Sequence, residues 1–152
     1  LVSVRLADNR RLCVATPAYL QRAGVPLTPA ELMRHQCLTL SSDASQTRGW
    51  AFAVDGEVTH LRPGGRLDCS DGQVLHDWCL RGLGLAWRST WEVESDVAAG
   101  RLQVVLEDFA APPNGIYAVF PQRKHLPLRV RLWIDFVKHS YGDPRYWTGG
   151  AA

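Results

Sequence analysis

The sequence lacks the features that define membrane, metal-binding and disulfide-stabilised proteins. No apolar run approaches the roughly 18–20 residues that cross a bilayer. The four cysteines, Cys13, Cys37, Cys69 and Cys79, lie 24, 32 and 10 residues apart. This spacing has neither the close pairs of a zinc site nor the density of a disulfide scaffold. We therefore expect reduced, partly buried thiols, with no metal site and no cofactor.

An excess of charge of one sign is missing too. The chain has 17 basic and 15 acidic residues, a formal net charge of +2, and the two signs are interspersed. Because proteins that bind a phosphate backbone usually concentrate basic residues on one surface, the sequence does not predict direct contact with nucleic acid. No charged and then apolar leader precedes a small-residue cleavage site, so we expect a cytoplasmic protein without membrane contact.

Motifs of common catalytic nucleophiles are absent as well. The sequence has no Gly-x-Ser-x-Gly turn and no local order of Ser, His and acid that indicates a triad. One enzymatic alternative stays open, because Cys69, Ser70 and His76 lie near a predicted helix start, where a helix dipole can activate a thiol. Without an orienting partner or an oxyanion loop, we expect a protein that is not an enzyme.

What the sequence does contain is the composition of a folded domain. Its 152 residues match one ordinary domain and could also form two small lobes. The chain is 46% hydrophobic and 21% charged, which excludes disordered, collagen-like and coiled-coil classes. It begins with Leu1 rather than Met, and residues 1–6 already have the pattern of a strand. We therefore interpret the sequence as part of a longer protein.

Helix starts are marked by side chains that can cap backbone N–H groups. Such patterns begin at Thr16, Thr28, Ser70 and Ser89 and predict helices that end near Gln21, His35, Gly82 and Gly100. After the last three of these starts, a Glu or Gln follows three residues later and completes a capping box. A fifth helix, amphipathic, is predicted at about 126–141. Its apolar stripe consists of Val130, Trp133, Ile134, Val137 and Tyr141.

Short apolar runs of strand length separate these helices. They lie at 12–15, 37–40, 83–87, 102–106 and 116–120. Residues 50–54 and 58–62 predict a hairpin, because Asp55-Gly56 tolerates the positive φ angles of a two-residue turn. Since strands alternate with helices elsewhere, we predict an α/β sandwich with a largely parallel sheet.

The order of these segments resembles the effector-binding domain of LysR-type transcriptional regulators. In that family a strand ends in Ala-Ser-Pro-x-Tyr-Leu, and Thr-Pro-x-Asp-Leu and His-x-Cys-Leu segments follow. The matching stretches here are RLCVATPAYL (11–20), LTPAEL (27–32), HQCL (35–38), SDG (70–72), GLGLA (82–86), AAGRL (98–102), IYAVFP (116–121) and VRLWIDF (130–136). The resemblance extends to about residue 141.

The resemblance implies the fold of type 2 periplasmic binding proteins, a two-lobe α/β sandwich with two crossover strands and a small effector between the lobes. Residues 1–15 would then end the first lobe and contain a crossover, and 16–114 would form the second lobe. Residues 115–141 would return and place their helix on the first lobe, and 142–152 would be a tail. The second lobe would be complete and the first partial.

The resemblance also implies a homo-oligomer, in which a side-by-side dimer forms part of a tetramer. The helix at 70–81 of one subunit would meet the first lobe of another. DNA would be contacted only through an N-terminal winged helix-turn-helix that is absent from this stretch. Where the first lobe would pack, we expect exposed apolar surface around Trp133, Ile134 and Val137.

A small-molecule effector site is predicted where helix N-termini follow strands, because free N–H groups there attract anions. The predicted effector-binding residues are Thr16, Ser70, Asp71, Trp87, Arg88 and Ser89. Thr16 and Ser70 offer hydroxyl groups, Trp87 an apolar wall, and the planar fork of Arg88 can bind a carboxylate through two hydrogen bonds. The alternative is that Arg88 pairs with Asp71 or Glu92 and that Trp87 belongs to the core.

The function we favour is that of the regulatory domain of a bacterial transcription factor. A small anionic metabolite would bind between two lobes and shift the orientation of lobes and subunits in the DNA-bound oligomer. Two alternatives stay open. One is a solute-binding lobe of the same architecture, against which stand the missing signal peptide and the unpaired cysteines. The other is the small hydrolase or transferase considered above.

Overall fold

The computed structural model describes residues 1–42, 48–121 and 126–147. The strands are β1 (Val2–Asn9), β2 (Arg11–Ala15), β3 (Thr39–Leu40), β4 (Trp50–Val54), β5 (Glu57–Leu61), β6 (Asp68–Cys69), β7 (Ala86–Ser89), β8 (Gln103–Val105) and β9 (Asn114–Phe120). The α-helices are α1 (Pro17–Ala23), α2 (Gly72–Leu80), α3 (Thr90–Ala98), α4 (Leu128–Gly142) and α5 (Pro144–Trp147). Short 3-10 helices lie at Pro29–Arg34 and Glu107–Phe109. The predicted α/β class is confirmed, and no described helix is long and apolar enough to span a bilayer.

Local side-chain chemistry starts three of the helices. The Thr16 hydroxyl accepts a hydrogen bond from the Tyr19 amide at 3.1 Å and caps α1. At α2 the cap is Asp71, one residue later than predicted, because its Oδ1 accepts from the amides of Gln73 and Val74 at 2.7 and 3.2 Å. A carboxylate is a stronger acceptor for these free amides than the hydroxyl of Ser70. The predicted capping box at the start of α3 is present.

The segment predicted as a helix from Thr28 is a 3-10 helix of six residues, Pro29–Arg34. The Thr28 side chain makes no capping hydrogen bond, and the Glu31 carboxylate accepts from the Leu27 amide at 2.8 Å instead. Leu27, just before this segment, is exposed and does not pack against it. The 3-10 form is common in short helical segments, because its poorer hydrogen-bond geometry disfavours it only over longer runs.

Five strands build the main sheet in the order β6–β3–β7–β2–β8. The β6–β3 pair is parallel, and a parallel bridge between Cys37 and Leu85 joins β3 to β7. Strand β2 is antiparallel to both β7 and β8. Four strands of this sheet therefore share one direction and β2 runs against them, so the sheet is mixed where a largely parallel one was predicted. An apolar run predicts a buried strand but carries no information on its direction.

Because β2 runs against its neighbours, different strands begin and end at each of the two ends of the main sheet. We call these two ends the Arg11 edge and the Thr16 edge. At the Arg11 edge, β2 begins and β7 ends, since Arg11 pairs with Ser89. At the opposite Thr16 edge, β2 ends and leads into α1. Strands β3 and β6 are parallel to β7, so they also end at the Arg11 edge.

Each face of the main sheet carries its own core. Alternate residues of β2 and β7 point to opposite faces, so Cys13 and Trp87 join one core while Val14 and Ala86 join the other. The first core also contains Trp50 and Phe52 of the β4–β5 hairpin, whose strands pair as predicted around the Asp55-Gly56 turn. The second core receives α2 and α3. Its buried members are Val14, Leu38, Leu40, Leu75, Cys79, Ala86, Val93 and Leu102.

Strands β1 and β9 form a separate antiparallel pair, and α4 packs against β1. Ile134 and Val137 are buried on the inner face of α4. Four large apolar side chains on the other side of the helix are more than half exposed: Leu128, Leu132, Trp133 and Phe136. The expected exposed surface is therefore present at Trp133 but not at Ile134 and Val137, because α4 is apolar on two faces and uses one of them here.

We expect the 1–152 polypeptide to self-associate with increasing concentration. The four exposed side chains of α4 lie within nine residues on one side of a helix, and contiguous apolar patches of this kind favour association in water. Sedimentation velocity over a wide range of concentrations measures the effect. The double variant Trp133→Gln, Phe136→Lys should shift the population toward monomer.

The control for this experiment is Leu83→Lys. Leu83 is also exposed, but it lies in the loop before β7, away from α4. Its replacement should leave the association unchanged. A polypeptide that stays monomeric at every concentration and unfolds in one sharp transition would contradict the prediction.

Candidate functional site

The structure brings together most of the predicted site residues, but not all six. Ser70 and Asp71 follow β6 and Arg88 and Ser89 end β7, so these four lie at the Arg11 edge. Thr16 lies at the other end of β2, where it is buried, caps α1 and faces the Gly82 loop. The prediction grouped Thr16 with the others because all of them follow strands, and the reversed direction of β2 separates it from them.

Arg88 links the starts of α2 and α3. Its Nη2 donates to Glu92 Oε1 at 2.7 Å and to the Gly72 carbonyl oxygen at 3.2 Å. The other carboxylate oxygen of Glu92 accepts from the Ser89 amide at 3.0 Å. Glu92 therefore completes the capping of α3 and neutralises a buried guanidinium with the same carboxylate.

The Arg88 side chain fits against α2 because position 72 is a glycine. A Cβ at Gly72 would lie 3.1 Å from Arg88 Nη2 and 3.3 Å from Nη1, closer than most real contacts of a Cβ atom. Arg88 is only 6% exposed. Its Nε is buried and has no hydrogen-bond partner within the described residues.

Ser70 and Asp71 form the exposed part of this edge. Both side chains face solvent, and the Asp71 carboxylate is already engaged by the first amides of α2. Ser41, which follows β3 at the same edge, was not among the predicted residues. Its hydroxyl donates to the Cys69 carbonyl oxygen at 3.1 Å. The sequence signal for Ser41 was its position directly after a buried strand.

Trp87 belongs to the core rather than to an open wall. It is 6% exposed, and its ring stacks on that of Trp50 with centroids 6.3 Å apart. The Arg11 guanidinium lies over the Trp87 ring, 4.8 Å from its centroid. Trp87 thus lies in the core and Arg88 pairs with Glu92, which is the alternative arrangement considered from the sequence. Arg11 itself was missed, because its place beside Ser89 depends on the antiparallel pairing of β2 with β7.

A second polar cluster fixes α2 against α3. The Asp96 carboxylate contacts His76 Nε2 at 2.7 Å through one oxygen and accepts from Arg101 Nε at 2.6 Å through the other. The side chains of Asp96 and His76 are about nine-tenths buried. The Asp96 carbonyl oxygen also accepts from the amides of Arg101 and Leu102. His76 therefore orients a helix pair, and this contact gives it no nucleophile to activate.

The cysteines have the environments of structural thiols in three of four cases. Burial raises the pKa of Cys37 and of Cys79 to about 12. It also raises the pKa of Cys13 well above its usual range. Cys69 is partly exposed, and its thiol donates to the Asp71 carbonyl oxygen at 3.3 Å. No group of three or more possible metal ligands occurs among the residues that the structure describes.

The mixed sheet, its helices on both faces and the β1–β9 pair that leaves from one edge define a lobe of the type 2 periplasmic-binding-protein-like class. Comparison with known proteins identifies the family. The model of the LysR substrate binding domain matches residues 1–142. The chain therefore belongs to the LysR substrate-binding domain family, and the resemblance inferred from the sequence is confirmed.

Relatives in this family are regulators of transcription. The chain is 28% identical over 143 residues to the HTH-type transcriptional regulator DmlR of Escherichia coli K12, covering 94% of this chain and 46% of DmlR. It is 31% identical over 133 residues to the HTH-type transcriptional activator TtdR of the same strain, covering 87% of this chain and 42% of TtdR. The chain thus spans less than half the length of these regulators.

Solved structures give the same result. The regulatory domain of CrgA, a LysR-type transcriptional regulator from Neisseria meningitidis, matches with a TM-score of 0.78 and 30% identity. The match covers 93% of this chain and 69% of that domain. The chain therefore has the fold and family of the effector-binding regulatory domain of LysR-type regulators, and the relatives named above are regulators of transcription.

The Asp96 cluster leads to a prediction on stability. Replacement of Asp96 by Ala removes the carboxylate that His76 and Arg101 share and leaves His76 without its buried acceptor. We expect the free energy of unfolding to fall by about 1–3 kcal/mol, the usual cost of unpairing a buried polar group. Urea denaturation at one fixed protein concentration measures this change.

Asp77→Ala is the matched control, since Asp77 is an exposed acid of α2 whose carboxylate accepts from the Gln73 side chain at 3.1 Å. It should change the free energy of unfolding by less than about 0.5 kcal/mol. Equal losses for the two variants would show that the Asp96 cluster does not fix the helix pair.

The cysteine environments predict which thiols react. At pH 8 a thiol with a pKa of about 12 is ionised in roughly one molecule in 10,000, and burial also excludes the reagent. We expect a disulfide reagent to modify one cysteine of the native chain, Cys69, and all four after unfolding in urea. Cys69→Ser should abolish the native reaction. Rapid modification of a second cysteine in the native Cys69→Ser variant would contradict the assignment.

Proposed function

We propose that the chain senses a small metabolite that carries a carboxylate, and that the metabolite binds at the Arg11 edge of the main sheet. The observation that carries this proposal is the convergence of two helix starts on one arginine. The first turns of α2 and α3 both contact Arg88, through the Gly72 carbonyl oxygen and the Glu92 carboxylate. The partial positive charge of helix N-termini adds to the charge of the guanidinium at this point.

The exposed groups at this edge supply the polar contacts of a binding site. Ser70 and Asp71 are accessible, and Ser89 lies at the same edge, at the start of α3. Arg11 adds a second guanidinium on the other side of the β2–β7 pair. Thr16 and Trp87 have no part in the proposed site, because one lies at the opposite edge and the other in the core.

A metabolite carboxylate at this edge would compete with Glu92 for Arg88. The Arg88–Glu92 pair satisfies one nitrogen of the guanidinium, and no described residue accepts from Nε, so a ligand oxygen could improve the hydrogen bonding of Arg88. Release of Glu92 would also remove its contact with the Ser89 amide and loosen the cap of α3. A ligand shifts a conformational equilibrium only through different affinities for the two states, and this exchange provides such a difference.

The proposal for the whole protein follows from its relatives. We place this chain within a longer regulator that contacts DNA through an N-terminal winged helix-turn-helix and forms a homo-oligomer, dimer or tetramer. Residues 1–15 and 115–141 would contain the crossovers between two lobes, with 16–114 as the second lobe and 142–152 as a tail. Such a regulator works in the cytoplasm, without chemical turnover of its ligand. The relatives' roles in transcription favour it over a solute-binding lobe of a transport system.

The test is Arg88→Gln in the full regulator, with small monocarboxylates and their neutral amides as probes. A ligand at about 100 times its Kd stabilises its binding state by about 2.7 kcal/mol, which a thermal-shift assay detects. A carboxylate that stabilises the native protein should lose this effect in Arg88→Gln, and its amide should bind neither form. Operator binding without ligand should persist.

Glu92→Gln is the matched variant, because it removes the charge that competes for Arg88 and keeps a side chain of the same shape. The affinity for the carboxylate should be preserved or increased in this variant. If Arg88→Gln retains the full thermal shift and the transcriptional response, Arg88 is purely structural and the proposed site is wrong.

A further inference from the structure

Helix α3 has a second feature on its outer face, a cavity of about 490 Å³ between α3, the end of β1 and strands β2 and β8. The floor of this α3 cavity is apolar and includes Leu12, Val97 and Val104. Trp91 forms part of its wall and is nearly half exposed. The volume lies in the range of pockets that bind small organic molecules. Ser70, Asp71, Arg88 and Ser89 do not line it, so it is separate from the Arg11-edge site.

The rim of the α3 cavity is acidic. Asp8, Glu94 and Glu107 line it, and no Lys or Arg does among the described residues. Asp8 is paired with Arg5 along β1. Glu94 and Glu107 are exposed and form no ion pair within the described part of the chain. Two exposed carboxylates therefore lie at the opening of the apolar cavity, and neither forms an ion pair with another described residue.

We propose that the α3 cavity binds an organic ammonium compound with an apolar body. The apolar floor would take the hydrocarbon or aromatic part of such a ligand, because burial of that surface is favourable. The ammonium group would lie at the rim, between Glu94, Glu107 and the ring of Trp91, where carboxylates and an aromatic face both attract a cation. A carboxylate ligand would be repelled at the same rim. We therefore expect the cavity to distinguish ligands by their charge.

The position of the cavity gives such a ligand a means to act on the domain. Asp8 belongs to β1, which pairs with β9 outside the main sheet, whereas Glu94 belongs to α3. The Thr90 amide donates to the Arg10 carbonyl oxygen at 2.8 Å, so β1 and α3 are already joined at one end of the cavity. A bound ammonium compound would contact both elements and favour arrangements in which they stay close.

The experiment uses the full regulator and three probes of similar shape, 2-phenylethylammonium, 2-phenylethanol and 3-phenylpropionate, in isothermal titration calorimetry. We expect the ammonium compound to bind, the alcohol to bind at least ten-fold more weakly and the carboxylate not to bind at this site. The double variant Glu94→Gln, Glu107→Gln should weaken binding of the ammonium compound at least ten-fold. Asp77→Asn, which removes an exposed acid of α2, is the control and should leave the affinity unchanged.

Two further variants separate this proposal from the one at the Arg11 edge. Val97→Phe fills the cavity and should abolish binding of the ammonium compound, while any response to a carboxylate is preserved. Arg88→Gln should preserve binding of the ammonium compound and abolish the response to a carboxylate. The proposal is wrong if 2-phenylethylammonium does not bind or if the acidic double variant binds it with unchanged affinity. It is also wrong if 3-phenylpropionate behaves as the amine does, with the same affinity for native protein and the same loss of binding in Val97→Phe.

Discussion

The reversed direction of β2 is the constraint on which the arrangement of functional groups depends. Only Arg10 separates β1 from β2, so the chain enters the main sheet at the edge where β7 ends. Strands β3, β6 and β7 all end at that edge, and the helix starts that follow β6 and β7 collect there. Because β2 alone runs the other way, its own helix start at Thr16 lies at the far edge, and Arg11 takes the place beside Ser89 instead.

The Arg88–Glu92 pair shows how one local pattern serves two purposes. The spacing from Ser89 to Glu92 predicts a capping box, and the same carboxylate neutralises a guanidinium that is 6% exposed. A buried ion pair adds little net stability, because desolvation of both charges opposes their attraction. Removal of one partner is costly, however, since the other charge stays buried. The pair therefore contributes little to the stability of the fold, and a ligand carboxylate that replaces Glu92 would keep the buried charge of Arg88 paired.

Sequence reasoning succeeded where the determining contacts are local. The caps of α1 and α3 and the turn at Asp55-Gly56 each depend on residues within about four positions, and all three are as predicted. It failed where the contacts are distant in the sequence. The direction of β2, the stacking of Trp87 on Trp50 and the choice of which apolar face α4 buries follow from pairing across the chain. For the same reason the sequence grouped Thr16 with residues that lie at the opposite edge of the main sheet.

Helix α3 connects the two proposed ligand sites, because it has a carboxylate for each on opposite sides. Glu92 faces Arg88, whereas Glu94, two residues and about 200° further round the helix, faces the cavity. Asp96 fixes the same helix to α2 through His76, so a shift at one end of α3 cannot be absorbed by the helix alone. A ligand that releases Glu92 would loosen the start of α3, while one in the α3 cavity would contact both β1 and α3 and hold these elements together. The two ligands would thus bias the same element in opposite directions, and each should lower the affinity for the other by the same factor.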